Sequence, residues 1–174
     1  MAHTIESLAA RCRDVLTADP GPVGCEKVCD LVREVLKDPD FVAANVKPDG
    51  PERHILYEDP DLGFTILAHS YKGARNAPPH DHGPTWAIYG QATGTTIMTD
   101  WEPIERATED KPGSCRRVRD YELTPGMAYL YNPGELHSPR RDGSTCLIRI
   151  EGVNVTKIRR FPYIAVAEAS APTG

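Results

Sequence analysis

The chain has 174 residues, 40% of them hydrophobic, which is enough for one well-buried core and short for two. Its 20 basic and 25 acidic residues give a formal charge of -5, with no basic field to hold a phosphate backbone, so nucleic acid is not an expected partner. No stretch approaches the ~20 apolar residues that cross a bilayer, and the start lacks a charged segment followed by an apolar signal core; no membrane partner and a cytoplasmic location are expected.

The first 46 residues read as helical. Ile5, Leu8, Ala9, Cys12, Val15 and Leu16 recur three and four apart, and the Asp19-Pro20-Gly21-Pro22 run ends that helix. A second helix presents Val28, Leu31, Val32, Val35 and Leu36 on one face, is stopped by Asp38-Pro39-Asp40, and is followed by a short turn over Phe41 to Val46. The five cysteines, Cys12, Cys25, Cys29, Cys115 and Cys146, are odd in number and form no CxxC pair, which fits reduced thiols; Cys25 and Cys29 read as packed or surface thiols of the second helix.

From Arg53 the pattern changes to short β-branched and aromatic runs separated by Gly, Pro, Asn and Asp. Strands are expected at 54–58, 64–71, 80–82, 86–92, 95–101, 116–122, 127–131, 145–151 and 157–161. Many short strands after a helical lead predict a mainly β, jelly-roll-like barrel over 53–161, in a single domain spanning 1–174. Sixteen prolines suit such a fold, since proline sits at strand ends and turns. Residues 168–174 read as a flexible tail.

His80-Asp81-His82 is the motif that points most directly to chemistry. On an extended strand, residues two apart share a face, so the two imidazoles would point into one space with Asp81 turned away. A third imidazole from a distant strand, His137, would complete a facial set of nitrogen ligands with open positions for substrate. His3, His54 and His69 have no such setting.

The stretch from Gly73 through Pro78-Pro79-His80-Asp81-His82 to Gly90 resembles the first motif of the cupin superfamily. Gly126, followed after five residues by Asn132-Pro133-Gly134-Glu135-Leu136-His137, resembles the second, with its proline one place late and Arg141 where an asparagine often follows. Many cupins add a carboxylate four or five residues after the HxH, but Trp86 and Ala87 stand there. The likeness therefore narrows to three-histidine members, the cysteine dioxygenase and mercapto-acid (thiol) dioxygenases, and implies a cupin double-stranded β-helix holding Fe(II) on His80, His82 and His137. It also implies a small thiol and O2 as substrates, and a homodimer is compatible with it.

The resemblance places Arg53 about where that family grips a substrate carboxylate, a role suited to the guanidinium fork; a solvated arginine at a strand start is the alternative. Tyr71 and Trp86 are candidate pocket residues beside it, with core or rim packing of Tyr71 equally open. The family's serine, histidine and tyrosine relay on a late strand is replaced by Leu147, Arg149 and Glu151, and Ala87 replaces its cross-linking cysteine. Arg149 as an anion-binding residue and Glu151 as a catalytic acid or base follow if that face lines the pocket. If Cys146, Ile148 and Ile150 face inward instead, the charges are solvated. Two other uses fit the same histidines: non-oxidative Zn, Ni or Mn chemistry with isomerase, decarboxylase or hydrolase outcome, and non-catalytic binding of a small metabolite.

Overall fold

The computed structural model describes residues 3–167; the tail expected at 168–174 lies outside them. Three helices lead: α1 (Ile5–Ala18), α2 (Pro22–Val35) and α3 (Pro39–Asn45). Thr4 and Ser7 form a reciprocal capping box at the start of α1, and Asp38 caps α3 by accepting from the Asp40 and Phe41 amides. Ten strands follow: β1 (His54–Glu58), β2 (Thr65–Tyr71), β3 (Arg75–Asn76), β4 (Ala87–Thr93), β5 (Thr96–Glu105), β6 (Gly113–Leu123), β7 (Ala128–Tyr131), β8 (Leu136–Arg141), β9 (Thr145–Glu151) and β10 (Tyr163–Ala165).

They form two five-stranded sheets, ordered β1-β2-β9-β4-β7 and β10-β6-β5-β8-β3. All pairings are antiparallel except that of β10 with β6. The result is the expected mainly β sandwich with an N-terminal helical segment. Strands β2, β4 and β9 of the first sheet are buried on both faces, and strand parity sorts their residues between them. Ile66, Ala68, Ile88, Cys146, Ile148 and Ile150 join the helix side chains in one apolar cluster. Ala87, Tyr89 and Leu147 turn the other way and pack with Met98, Leu123 and Tyr131 between the sheets. The helices approach β4 so closely that a methyl group on Gly90 would lie 2.5 Å from Val32 Cγ1 and 3.0 Å from the Ile148 carbonyl oxygen. All five cysteines are free and buried, with Cys12, Cys25 and Cys29 packed under the helices.

Two expectations need correction. Residues 80–82 do not form a strand: only His80 pairs, in an isolated bridge, because prolines at 78, 79 and 84 remove backbone donors and Gly83 turns the chain at φ +59°. Asp81 is buried, and its Oδ1 accepts from the Gly83 amide at 3.0 Å. Residues 157–161 are not a strand. Asn154 instead caps a short 3-10 turn over Val155–Lys157, and pairing resumes only at β10. Conversely the strand assumed to carry His137 had no expected bounds; it is β8, and Pro139 within it still uses its carbonyl, accepting from the Ala77 amide at 3.1 Å.

Candidate metal centre

His80 and His137 are brought together by backbone pairing. Each amide donates to the other residue's carbonyl, at 3.0 Å from His80 and 2.9 Å from His137. In such an antiparallel pair the two side chains leave on the same face. His82 reaches the same space through the turn at Gly83, and its carbonyl accepts from the Thr85 amide at 3.3 Å. One ligand nitrogen from each of the three rings falls within 4.8 Å of the others. His82 and His137 are fully buried, and His80 is partly exposed.

Hydrogen bonds fix which nitrogens are free. Nδ1–H of His80 donates to the Pro78 carbonyl at 2.8 Å and Nδ1–H of His137 to the Glu135 carbonyl at 3.2 Å, since a carbonyl can only accept. Both rings therefore carry a lone pair on Nε2. His82 Nε2 accepts from Arg149 Nη2 at 2.7 Å, so it too carries a lone pair, and its protonated Nδ1 is buried without a partner. Burial, with the nearby charge of Arg149, lowers the His80 pKa to about 4 and holds His82 well below the usual imidazole range. Burial and the neighbouring His80 do the same to His137. Three neutral imidazoles with inward lone pairs suit a divalent cation, and two have their outer nitrogens anchored on carbonyls as metal-binding histidines require. Arg149 occupies one of those lone pairs and has to withdraw for His82 to act as a ligand.

The surroundings are aromatic and cationic. The Tyr89 hydroxyl stands 3.2 Å from both His82 Nε2 and His137 Nε2, two lone pairs that its one proton cannot satisfy together. Tyr131 lies nearly parallel to the His137 ring, 3.7 Å between centroids, and its hydroxyl meets that of Tyr121. Arg149 rests over the Tyr89 ring at 4.5 Å and faces Glu151 Oε1 across 3.1 Å. Burial opposes ionisation of Glu151, but the Arg53 and Arg149 guanidiniums and the Val155 amide hold its carboxyl below the usual range.

The sequence candidates separate accordingly. Arg149 and Glu151 face the space between the sheets, while Cys146, Ile148 and Ile150 pack under the helices, so both faces of β9 are buried and neither charge is solvated. Arg53 is bound in two parallel hydrogen bonds to Glu151, with a third to Asn154, which leaves its fork engaged inside the protein. Tyr71 packs against the cluster between the sheets, under the Arg141 guanidinium. Trp86 has the parity of Ile88 and packs against the helix-side cluster, away from the histidines. Tyr89 and Tyr131 were not foreseen. Tyr89 sits three residues beyond Trp86, and alternation from Ala87 along β4 is the signal that could have found it.

No family model matches the sequence, and no curated protein matches it. Solved structures that align with the fold include a cupin superfamily protein from Desulfitobacterium hafniense, 9% identical over 62% of this chain and 82% of that one, TM-score 0.43. KdgF from a Halomonas species is 15% identical over 57% of this chain and 74% of its own, TM-score 0.42. The DMSP lyase DddQ from Ruegeria pomeroyi is 14% identical over 63% of this chain and 50% of its own, TM-score 0.44.

Proposed function

We propose that the chain is a metal-dependent enzyme that uses ferrous iron on His80, His82 and His137 to oxidise a small thiol, or a related molecule, that also carries an acid group. The observation that carries this reading is the convergence of one ligand nitrogen from each of three histidines in a largely buried space, two of the rings being held by carbonyl anchors on Nδ1. Ferrous iron held there would supply a redox-active Lewis acid at which a thiolate and dioxygen meet.

The protein's own residues supply binding and exclusion. Arg149, released from His82, offers a guanidinium to the anionic group of the substrate, while Glu151 and Tyr89 keep it at the histidines. Glu151 in turn is held by Arg53, so these two serve to position Arg149. Tyr131, Leu147 and Met98 keep water from the inner wall. Oxygen uptake by iron-loaded protein should depend on both the iron and a thiol acid. With iron content verified, silence across a broad panel of thiols with and without carboxylates would sink the proposal.

One observation favours a second reading. The Tyr89 hydroxyl faces two of the three histidines and could give or take a proton there, which serves non-oxidative chemistry on Zn, Ni or Mn as well. Purified protein that carries zinc, and consumes no oxygen when iron replaces it, would decide for that alternative.

A further inference from the structure

The interior between the sheets holds more positive charge than the protein itself compensates. Arg53, Arg141 and Arg149 all approach it, and Glu151 is the one carboxylate that pairs with any of them among the described residues. Glu151 serves Arg53 and Arg149. Arg141 has no carboxylate: it is 3% exposed, its Nε is buried without a hydrogen-bond partner, and no ion pair among the described residues includes it. An aromatic face offsets only part of the cost of burying a guanidinium in this state. Its nearest compensation is the Tyr71 ring, 4.0 Å below the guanidinium carbon.

The position of Arg141 ties it to the centre. His137 and Arg141 are four residues apart on β8 and so share a face, with ~14 Å of strand between their backbones. Arg141 also feels the charge of Arg149 and acts on Tyr89, two of the residues that touch the histidines. Its neighbour across the sheet edge, Arg75, is already paired with Glu52. Two guanidiniums are thus under-compensated: Arg149 beside the histidines, which shares Glu151 with Arg53, and Arg141 farther along the same interior, which no carboxylate serves.

We propose that Arg141, stacked on Tyr71, is a second acid-binding site, and that the ligand is a small molecule with two acidic groups, one for Arg149 and one for Arg141. That the ligand is the substrate rests on the metal-enzyme reading above; the anion site itself does not, because it is formed by residues that touch no histidine of the centre.

Succinate, with acetate as the one-acid control, tests this by calorimetry and thermal melting on the metal-free full chain. Succinate should bind saturably and raise the melting temperature more than acetate does. Arg141→Met should melt at or above the unmodified protein without ligand, and its succinate response should fall to that of acetate. Arg140→Met, at the exposed neighbouring position, should leave the response intact. Arg141→Lys keeps the charge without the fork and should weaken succinate at least tenfold, which decides the matter if the methionine variant does not fold. An undiminished succinate response in either Arg141 variant would overturn the assignment. Absence of oxygen chemistry leaves it standing, since no metal is present in the measurement.

Discussion

Arg53 grips Glu151 with both arms of its guanidinium, Nη1 to Oε1 at 2.9 Å and Nη2 to Oε2 at 2.8 Å, joining the residue before β1 to the end of β9. Glu151 is fully buried, and losing one member of such a pair strands the other charge. Arg53→Met should therefore destabilise the fold by about 3 kcal/mol, read as a shift in the urea midpoint. The double variant Arg53→Met with Glu151→Gln should recover part of that loss. Equal stability of the single variant and the unmodified protein would mean that the pair is compensated by water.

His69 gives the fold an acid sensitivity of its own. It is buried, donates Nδ1–H to the Glu52 carbonyl at 2.7 Å, and leaves Nε2 without a partner. Burial, reinforced by Arg149 and Arg53, lowers its pKa from 6.5 to about 3. The folded state thus binds the proton less readily than the unfolded state. The stabilisation is complete above pH 6.5 and is lost progressively as pH falls toward 3, at about 1 kcal/mol per pH unit for each such group. Urea unfolding at pH 7 and pH 5.5, with chelator present, should show this loss, and His69→Gln should reduce its slope.

Tyr89→Phe removes one hydroxyl and keeps the ring that fills the interior. Stability should change by less than about 1.5 kcal/mol. Affinity for a divalent cation, measured in competition with a chelating dye, should not fall and should rise by up to about 10-fold, because the hydroxyl no longer competes for the Nε2 lone pairs that the cation would take. His137→Ala should abolish cation binding in the same assay. An unaltered Tyr89→Phe affinity would confine the hydroxyl to a packing role.

Gly90→Ala tests the contact between helices and sheet. The added methyl group meets Val32 and Leu36 side chains at 2.5 and 2.9 Å and the Ile148 carbonyl oxygen at 3.0 Å, and the backbone oxygen cannot step aside. A loss of about 1–3 kcal/mol is expected in the same urea experiment.

Periodicity made the helices and most strands legible, because burial on one or both faces writes itself into the positions of apolar residues. His80 and His82 were legible by their spacing, and His137 through the resemblance of the Asn132–His137 stretch to a second metal-binding motif. Arg149 and Glu151 were harder to place, since β9 alternates aliphatic and charged residues and alternation alone reads as one buried and one solvated face. Only the helices covering the far side of that sheet turn both faces inward. Arg141 and Tyr89 escaped for a related reason: each owes its importance to a neighbour far away in the chain, and a lone arginine or tyrosine announces none.

The paired amides of His80 and His137 make the centre part of the architecture as well as a place for chemistry. A cation bound across those two residues and His82 would act as a removable cross-link, tying the proline-rich segment before β4 to β8. Its binding free energy would then appear as resistance to opening of that edge of the sandwich, protecting those backbone amides from solvent exchange in proportion to how tightly the ion is held.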